Sequence, residues 1–267
     1  MPFTQLANIR AYYEIAGAGP RLLAISGTGG DLRKRPNVFD SPLAQHFEIL
    51  AYDQRGLGQT DRPDIAYTMQ DYADDAARLL DAVGWSSALV MGTSFGGMVA
   101  QEFALRHPQR VEKLVLACTS SGGAGGASYP LHELGPMTPE ERFQRTAPIS
   151  DMRCTPEWQA AHADEFQAML AFTLAQMQIG AEEPNRAIGA RRQLEARMGH
   201  DTFERLPQLA MPVFICGGRY DGLAPVSNLE ALLAQIPNAT MELFEGGHGF
   251  LMQDPLAYAQ VIAFLLA

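Results

Sequence analysis

Cysteine is scarce in this chain. Cys118, Cys154 and Cys216 are too few and too unevenly spaced for a disulfide framework or a C-x-x-C metal site. Positive charge is short as well. Twenty Lys and Arg stand against 30 Asp and Glu, a formal net charge of −10. Such a surface lacks the clustered cations that displace counterions from nucleic acid or hold an anionic membrane, so neither partner is expected. No apolar run approaches the ~20 residues that span a bilayer. Met1-Pro2-Phe3-Thr4-Gln5 has neither the basic start nor the apolar centre of a secretion signal, and a cytoplasmic location is the expectation. What is present is core-forming material. Hydrophobic residues make up 47% and charged residues 19% of 267, which excludes a disordered chain and suits one large domain or two small ones.

Short apolar runs alternate with longer amphipathic ones. Residues 9–15 alternate in the manner of an edge strand. Residues 21–25, 47–52, 88–91, 113–117, 213–216 and 240–244 are compact apolar runs bounded by Gly, Asp, Ser or Pro, the mark of parallel strands covered on both faces. Between them, Tyr72, Ala76, Leu79, Leu80 and Val83 share one helical face up to Gly84, and 95–106, 226–235 and 255–266 read as helices. This alternation predicts an α/β fold, a parallel sheet with helices on both sides. It stops between about Gly122 and Leu206, where the text turns helical and Met-rich after a glycine-rich opener. Some eighty residues are too many for a loop. The predicted organisation is a core of 1–121 and 207–267 carrying a helical cap of 122–206.

The strongest local signal is Gly92-Thr93-Ser94-Phe95-Gly96, a G-x-S-x-G between a buried strand and a helix. The pattern alone recurs by chance in glycine-rich chains; the strand before it and the helix after it give it meaning. Ser94 is expected on a sharp turn, with Gly92 and Gly96 keeping Cβ atoms out of the crowded space around it. Near the C-terminus, Glu245-Gly246-Gly247-His248-Gly249 follows the last strand, on the edge where open α/β sheets place their sites. The other five histidines, His46, His107, His132, His162 and His200, have no such setting. Between Ser94 and His248, the strand of 213–216 runs into a loop holding Asp221, while the earlier strand ends Ala117-Cys118-Thr119-Ser120-Ser121 without a carboxylate. The order Ser94, Asp221, His248 belongs to one serine-hydrolase fold. No His, Cys or carboxylate set has metal-ligand spacing, so no metal is expected. Gly27 to Gly30 complete no G-x-G-x-x-G and meet no Gly-Lys-Ser/Thr, so no nucleotide site and no cofactor is expected.

Taken together, these residues make the chain similar to the α/β-hydrolase superfamily over essentially its whole length. The resemblance implies an eight-stranded, mostly parallel sheet with a helical cap inserted after the sixth strand. It implies Ser94 as nucleophile, His248 as general base and then acid, and Asp221 as the group that orients the imidazole. It places one oxyanion donor on the backbone N–H of Phe95. The second carries over to the N–H of Thr28 in Ser26-Gly27-Thr28-Gly29-Gly30, where Ser26 replaces the family's usual His. Asp53-Gln54-Arg55-Gly56-Leu57-Gly58 matches the family's D-x-R-G-x-G segment and reads as structural, with Arg55 paired to a carboxylate. In the cap, Met137, Met152, Met169, Met177 and Met198 with Phe143, Trp158, Phe166 and Phe172 read mostly as lid core, a few of them lining the pocket. Of Arg186, Arg191, Arg192 and Arg197, one is a weak candidate for meeting a substrate carboxylate.

The nucleophile segment and the Ser26 loop resemble 3-oxoadipate enol-lactonases and related carboxylesterases. They imply a metal-free serine hydrolase acting on a small-molecule ester or lactone substrate. A C–C bond hydrolase, a proline-releasing aminopeptidase and a perhydrolase stand as alternatives on this scaffold. Phe95, where such peptidases carry Trp, weakens the second. Dehalogenases and epoxide hydrolases carry Asp at the position of Ser94 and are disfavoured. A slow-turnover ligand receptor is the alternative from another class. Self-association into a homo-oligomer stays open.

Overall fold

The computed structural model describes residues 2–267. In chain order it runs β1 (Phe3–Leu6), β2 (Ile9–Ala16), β3 (Arg21–Ile25), β4 (Glu48–Tyr52), α1 (Met69–Ala82), β5 (Ala88–Thr93), α2 (Phe95–Arg106) and β6 (Val111–Ala117). Then come α3 (Pro139–Ser150), α4 (Pro156–Ala161), α5 (Ala163–Gln178) and α6 (Arg186–Met198), before β7 (Val213–Gly218), α7 (Val226–Gln235), β8 (Ala239–Phe244), α8 (Phe250–Gln253) and α9 (Pro255–Leu266). The strands form one eight-stranded sheet in the order β1-β2-β4-β3-β5-β6-β7-β8. The β1–β2 and β2–β4 pairs are antiparallel and the rest parallel. From β3 the chain steps one way to β4, then returns past β3 to β5. A crevice therefore opens at the carboxyl ends of β3 and β5, where connections leave in opposite directions.

Consecutive residues of each central strand face opposite sides, and both sides are dry. Leu23, Leu50, Val90, Leu116 and Ile215 join one core with α1, α2 and α7. Their neighbours Leu22, Ile49, Leu89, Val115 and Phe214 join a second with α8 and α9. That two-sided burial is why these strands read as unbroken apolar runs rather than alternating ones. The strand missed by that pattern is β1: it is four residues long and only Leu6 is buried. Helix α1 starts at a capping box, in which the Thr68 hydroxyl accepts from the Asp71 N–H and the Asp71 carboxylate accepts from the Thr68 N–H. Its buried face carries Tyr72, Ala76, Leu79 and Leu80.

Helices α3 to α6 stand outside this alternation. They leave and rejoin the sheet at one point, where Gly122 bridges Asp201 and the Thr202 N–H donates to the Ser121 carbonyl at 2.9 Å. They carry a small core of their own, Phe143, Ala147, Cys154 and Phe166, with Trp158 and Leu170 packed on it. Met137, Met152, Met169, Met198 and Phe172 are exposed instead.

Candidate active site

Strand β5 ends in a strained corner. Ser94 has φ +56° and ψ −119°, a conformation costing a residue with a Cβ about 1–3 kcal/mol. The surroundings enforce it. A Cβ on Gly92 would lie 2.3 Å from the Gly96 carbonyl oxygen, and one on Gly96 would lie 2.0 Å from that of Ile25. Only glycine fits at either place, as the motif predicts. Behind the corner, the Ser94 N–H donates to Ala117 O at 2.8 Å and the Thr119 hydroxyl donates to Ser94 O at 2.8 Å. The hydroxyl of Ser94 is left facing the crevice.

His248 and Asp221 arrive from the ends of β8 and β7. The imidazole Nε2 lies 2.9 Å from Ser94 Oγ, and Nδ1 lies 2.7 Å from Asp221 Oδ2. Asp221 is 1% exposed, and its other oxygen, Oδ1, accepts from the N–H groups of Leu223 and Ala224 at 2.8 and 2.9 Å. The His248 N–H donates to the carbonyl of Ser150 at the end of α3, so the helical insertion anchors the loop bearing the imidazole. The three residues singled out from widely separated stretches of sequence thus form one continuous hydrogen-bonded chain. Such a chain can draw a proton from a serine hydroxyl and return it to a leaving group.

The loop 26–30 lies against the same hydroxyl. A Cβ on Gly27 would sit 3.8 Å from Ser94 Oγ. Neither the Thr28 N–H on this loop nor the Phe95 N–H at the start of α2 has a protein acceptor among the described residues. Both are open donors, the second at a helix N-terminus whose dipole favours negative charge. With Ser26 in place of a histidine, the loop is braced by two glutamines. Gln54 Nε2 donates to Ser26 O at 2.8 Å, and Gln193 Oε1, from α6, accepts from Gly29 N–H at 3.0 Å. Lys34 Nζ donates to Gly29 O at 2.8 Å. Gln54, Gln193, Thr119 and Ser150 were not singled out in the sequence. All four act through backbone groups, which no residue-type pattern reports; Gln54 alone lies inside a segment already read as structural.

That segment is structural in detail. Arg55 holds Asp75 through Nε–Oδ2 at 2.7 Å and Nη2–Oδ1 at 3.0 Å, both side chains buried. Asp53 accepts from the N–H groups of Leu32 and Gln59, and burial pushes its carboxyl up to about 6. The four arginines of α6 all have protein partners. Arg186 donates to Met177 and Ile179 carbonyls, Arg191 and Arg192 meet Asp64, and Arg197 donates to Tyr129 O. Cys118 and Cys216 are buried, the thiols pushed up by burial.

One grouping escapes any spacing rule. Cys118, Asp221 and His248 offer donor atoms within 4.8 Å of one another. Their chemistry does not suit a cation. Burial keeps the Cys118 thiol protonated, and both Asp221 oxygens and the His248 Nδ1 are already committed to hydrogen bonds.

Known proteins with the same architecture complete the picture. The chain is 30% identical over 273 residues to a protein named as a carbamate hydrolase, RutD, from Azorhizobium caulinodans, covering 98% of this chain and 97% of that one. It is 29% identical over 249 residues to the poly(3-hydroxyalkanoate) depolymerase of Ectopseudomonas oleovorans, covering 90% of this chain and 82% of that protein. The crystal structure of the enol-lactonase from Burkholderia xenovorans superimposes with a TM-score of 0.80 over 99% of both chains, at 20% identity. The α/β hydrolase fold family matches residues 20–255, so the chain belongs to that family and is a hydrolase of its kind.

Proposed function

We propose that this hydrolase cleaves a small carboxylic ester or lactone through an acyl-enzyme on Ser94, with His248 as proton carrier and Asp221 as its orienting partner. The observation that carries the reading is the unbroken chain from Ser94 Oγ through His248 to Asp221 Oδ2. His248 Nε2 takes the hydroxyl proton as Ser94 Oγ bonds to the carbonyl carbon. The oxyanion then formed accepts from the N–H groups of Thr28 and Phe95. Collapse breaks the bond to the alcohol oxygen, which leaves with the proton from His248. A water molecule repeats the sequence, releasing the acid and restoring Ser94. The helical insertion acts as a cap, holding His248 through Ser150 O and the oxyanion loop through Gln193. The name of the polyester depolymerase fits an ester carbonyl, and that of RutD extends the panel of substrates to carbamates.

The test is one set of assays. p-Nitrophenyl esters, lactones, aryl carbamates and proline amides are compared on the wild type and on Ser94→Ala, with the fold checked by circular dichroism. Esters or lactones are expected to be turned over, and Ser94→Ala to lower kcat about a thousandfold or more. A fluorophosphonate should label the protein at Ser94, and a chelator should leave the rate unchanged. Near wild-type turnover by Ser94→Ala would refute the acyl-enzyme.

A further inference from the structure

One crossover of this fold is unfilled. The chain between β3 and β4 carries only single-turn helices at Val38–Asp40 and Pro42–Gln45, whereas β5 is followed by the twelve-residue α2. Beneath the gap, the sheet presents the small side chains of Ala24 and Ala51. The result is a cleft of about 870 Å³, within the size range that holds a whole organic ligand. Val38, Leu43, Leu251 and Tyr258 are among the residues that line it. Its inner end reaches Ser26, Gly27, Thr93 and His248, the loop and imidazole that flank the Ser94 hydroxyl. No residue of the 122–206 insertion lines it.

The surface lining the cleft is mostly apolar. The ionic groups at its edge are engaged elsewhere: Asp31 with Arg33, Asp40 with Arg35 and the Asn37 N–H, Lys34 with Gly29 O, and Asp254 with the N–H groups of Glu245 and Leu256. What it offers is apolar surface that runs up to the loop and imidazole beside the reacting serine. The part of an ester that stays bonded to Ser94 through both half-reactions is the acyl group, so surface there acts on both steps.

We infer that this cleft, in the core rather than under the cap, receives an aliphatic acyl chain, and that the enzyme selects medium-chain over short acyl esters. The inference rests on the serine-hydrolase reading above. Each methylene that leaves water is worth roughly fourfold in kcat/KM until the cleft is filled.

The experiment measures kcat/KM for p-nitrophenyl acetate, butyrate, hexanoate, octanoate and decanoate. It uses the wild type and two variants in separate lining segments, Val38→Trp and Leu251→Trp, both at partly exposed positions that tolerate bulk. The wild type is expected to prefer octanoate to acetate by at least tenfold. In each variant that ratio should fall at least tenfold, mainly through KM. A flat or falling chain-length profile in the wild type overturns the inference, as does an unchanged ratio in both variants. So does a preference that appears only in a matched series of alkyl acetates, where the chain is on the alcohol. Those results leave the serine mechanism standing. The mechanism itself fails, and this inference with it, if the wild type turns over no ester and Ser94 takes no fluorophosphonate.

Discussion

Asp221 does two jobs with one carboxylate, one per oxygen. Oδ1 accepts the two N–H groups that fold the turn after β7, and Oδ2 faces the imidazole. This division sharpens the outcome of Asp221→Asn. The amide oxygen must take the Oδ1 position, because only an acceptor satisfies Leu223 and Ala224. The amide NH₂ then faces His248 Nδ1 and forces it to accept. The ring proton moves to Nε2, the nitrogen that has to receive the proton of Ser94. The variant should keep its fold and lose up to about 10⁴-fold in kcat, the scale of loss that the wrong imidazole tautomer causes in serine proteases with the same three groups. Circular dichroism with single-turnover kinetics would check both halves. Turnover within a few-fold of wild type would mean that Asp221 only shapes its turn.

Among elements, α6 shows how closely the insertion meets the core. A Cβ on Gly189 would lie 1.9 Å from the Gly56 carbonyl oxygen, so the helix crosses that turn backbone against backbone. Helix propensity favours Gly189→Ala by about 1 kcal/mol. The overlap opposes it by about 1–3 kcal/mol, and the backbone carbonyl cannot swing away as a side chain would. Net destabilisation is expected, read as a lower Tm, with ester turnover reduced because Gln193 on the same helix braces the oxyanion loop. A raised Tm would show that α6 moves freely on the core.

The same scale explains what was legible in the sequence. The central strands announce themselves through runs such as Leu22-Leu23 and Leu89-Val90, because both neighbours are buried. Ser94 and its glycines are legible because a tight corner excludes every Cβ there. Asp221 and His248 are legible through chain order and position after strands. Gln193 is not, since its partner is a backbone N–H 164 residues away. The acyl cleft is not either, for it arises from a helix that is missing, and a missing helix reads as ordinary loop.

For the molecule as a whole, the weak point in acid is the junction of sheet and insertion. His200 is buried there, with Nε2 bonded to Ser120 O at 3.1 Å and Nδ1 without a partner among the described residues. Burial lowers its pKa to about 4 from an ordinary 6.5. Between those values the unfolded chain binds a proton that the folded protein does not, so stability falls as pH drops through this window. The full effect approaches about 3 kcal/mol. Urea unfolding at pH 7 and pH 4.5 should show a steeper loss for the wild type than for His200→Asn, which carries no titrating proton. Equal losses would place the acid sensitivity elsewhere.

That junction also has a consequence for ancestry. The bridge between Gly122 and Asp201 brings the two ends of the insertion side by side. Because a closed loop's entropic cost grows only with the logarithm of its length, helices between those points can be added, lost or exchanged while the sheet keeps its register. A lineage of such proteins can therefore replace the roof by recombination and keep the hearth, with the acyl cleft, walled wholly by the sheet domain, inherited unchanged.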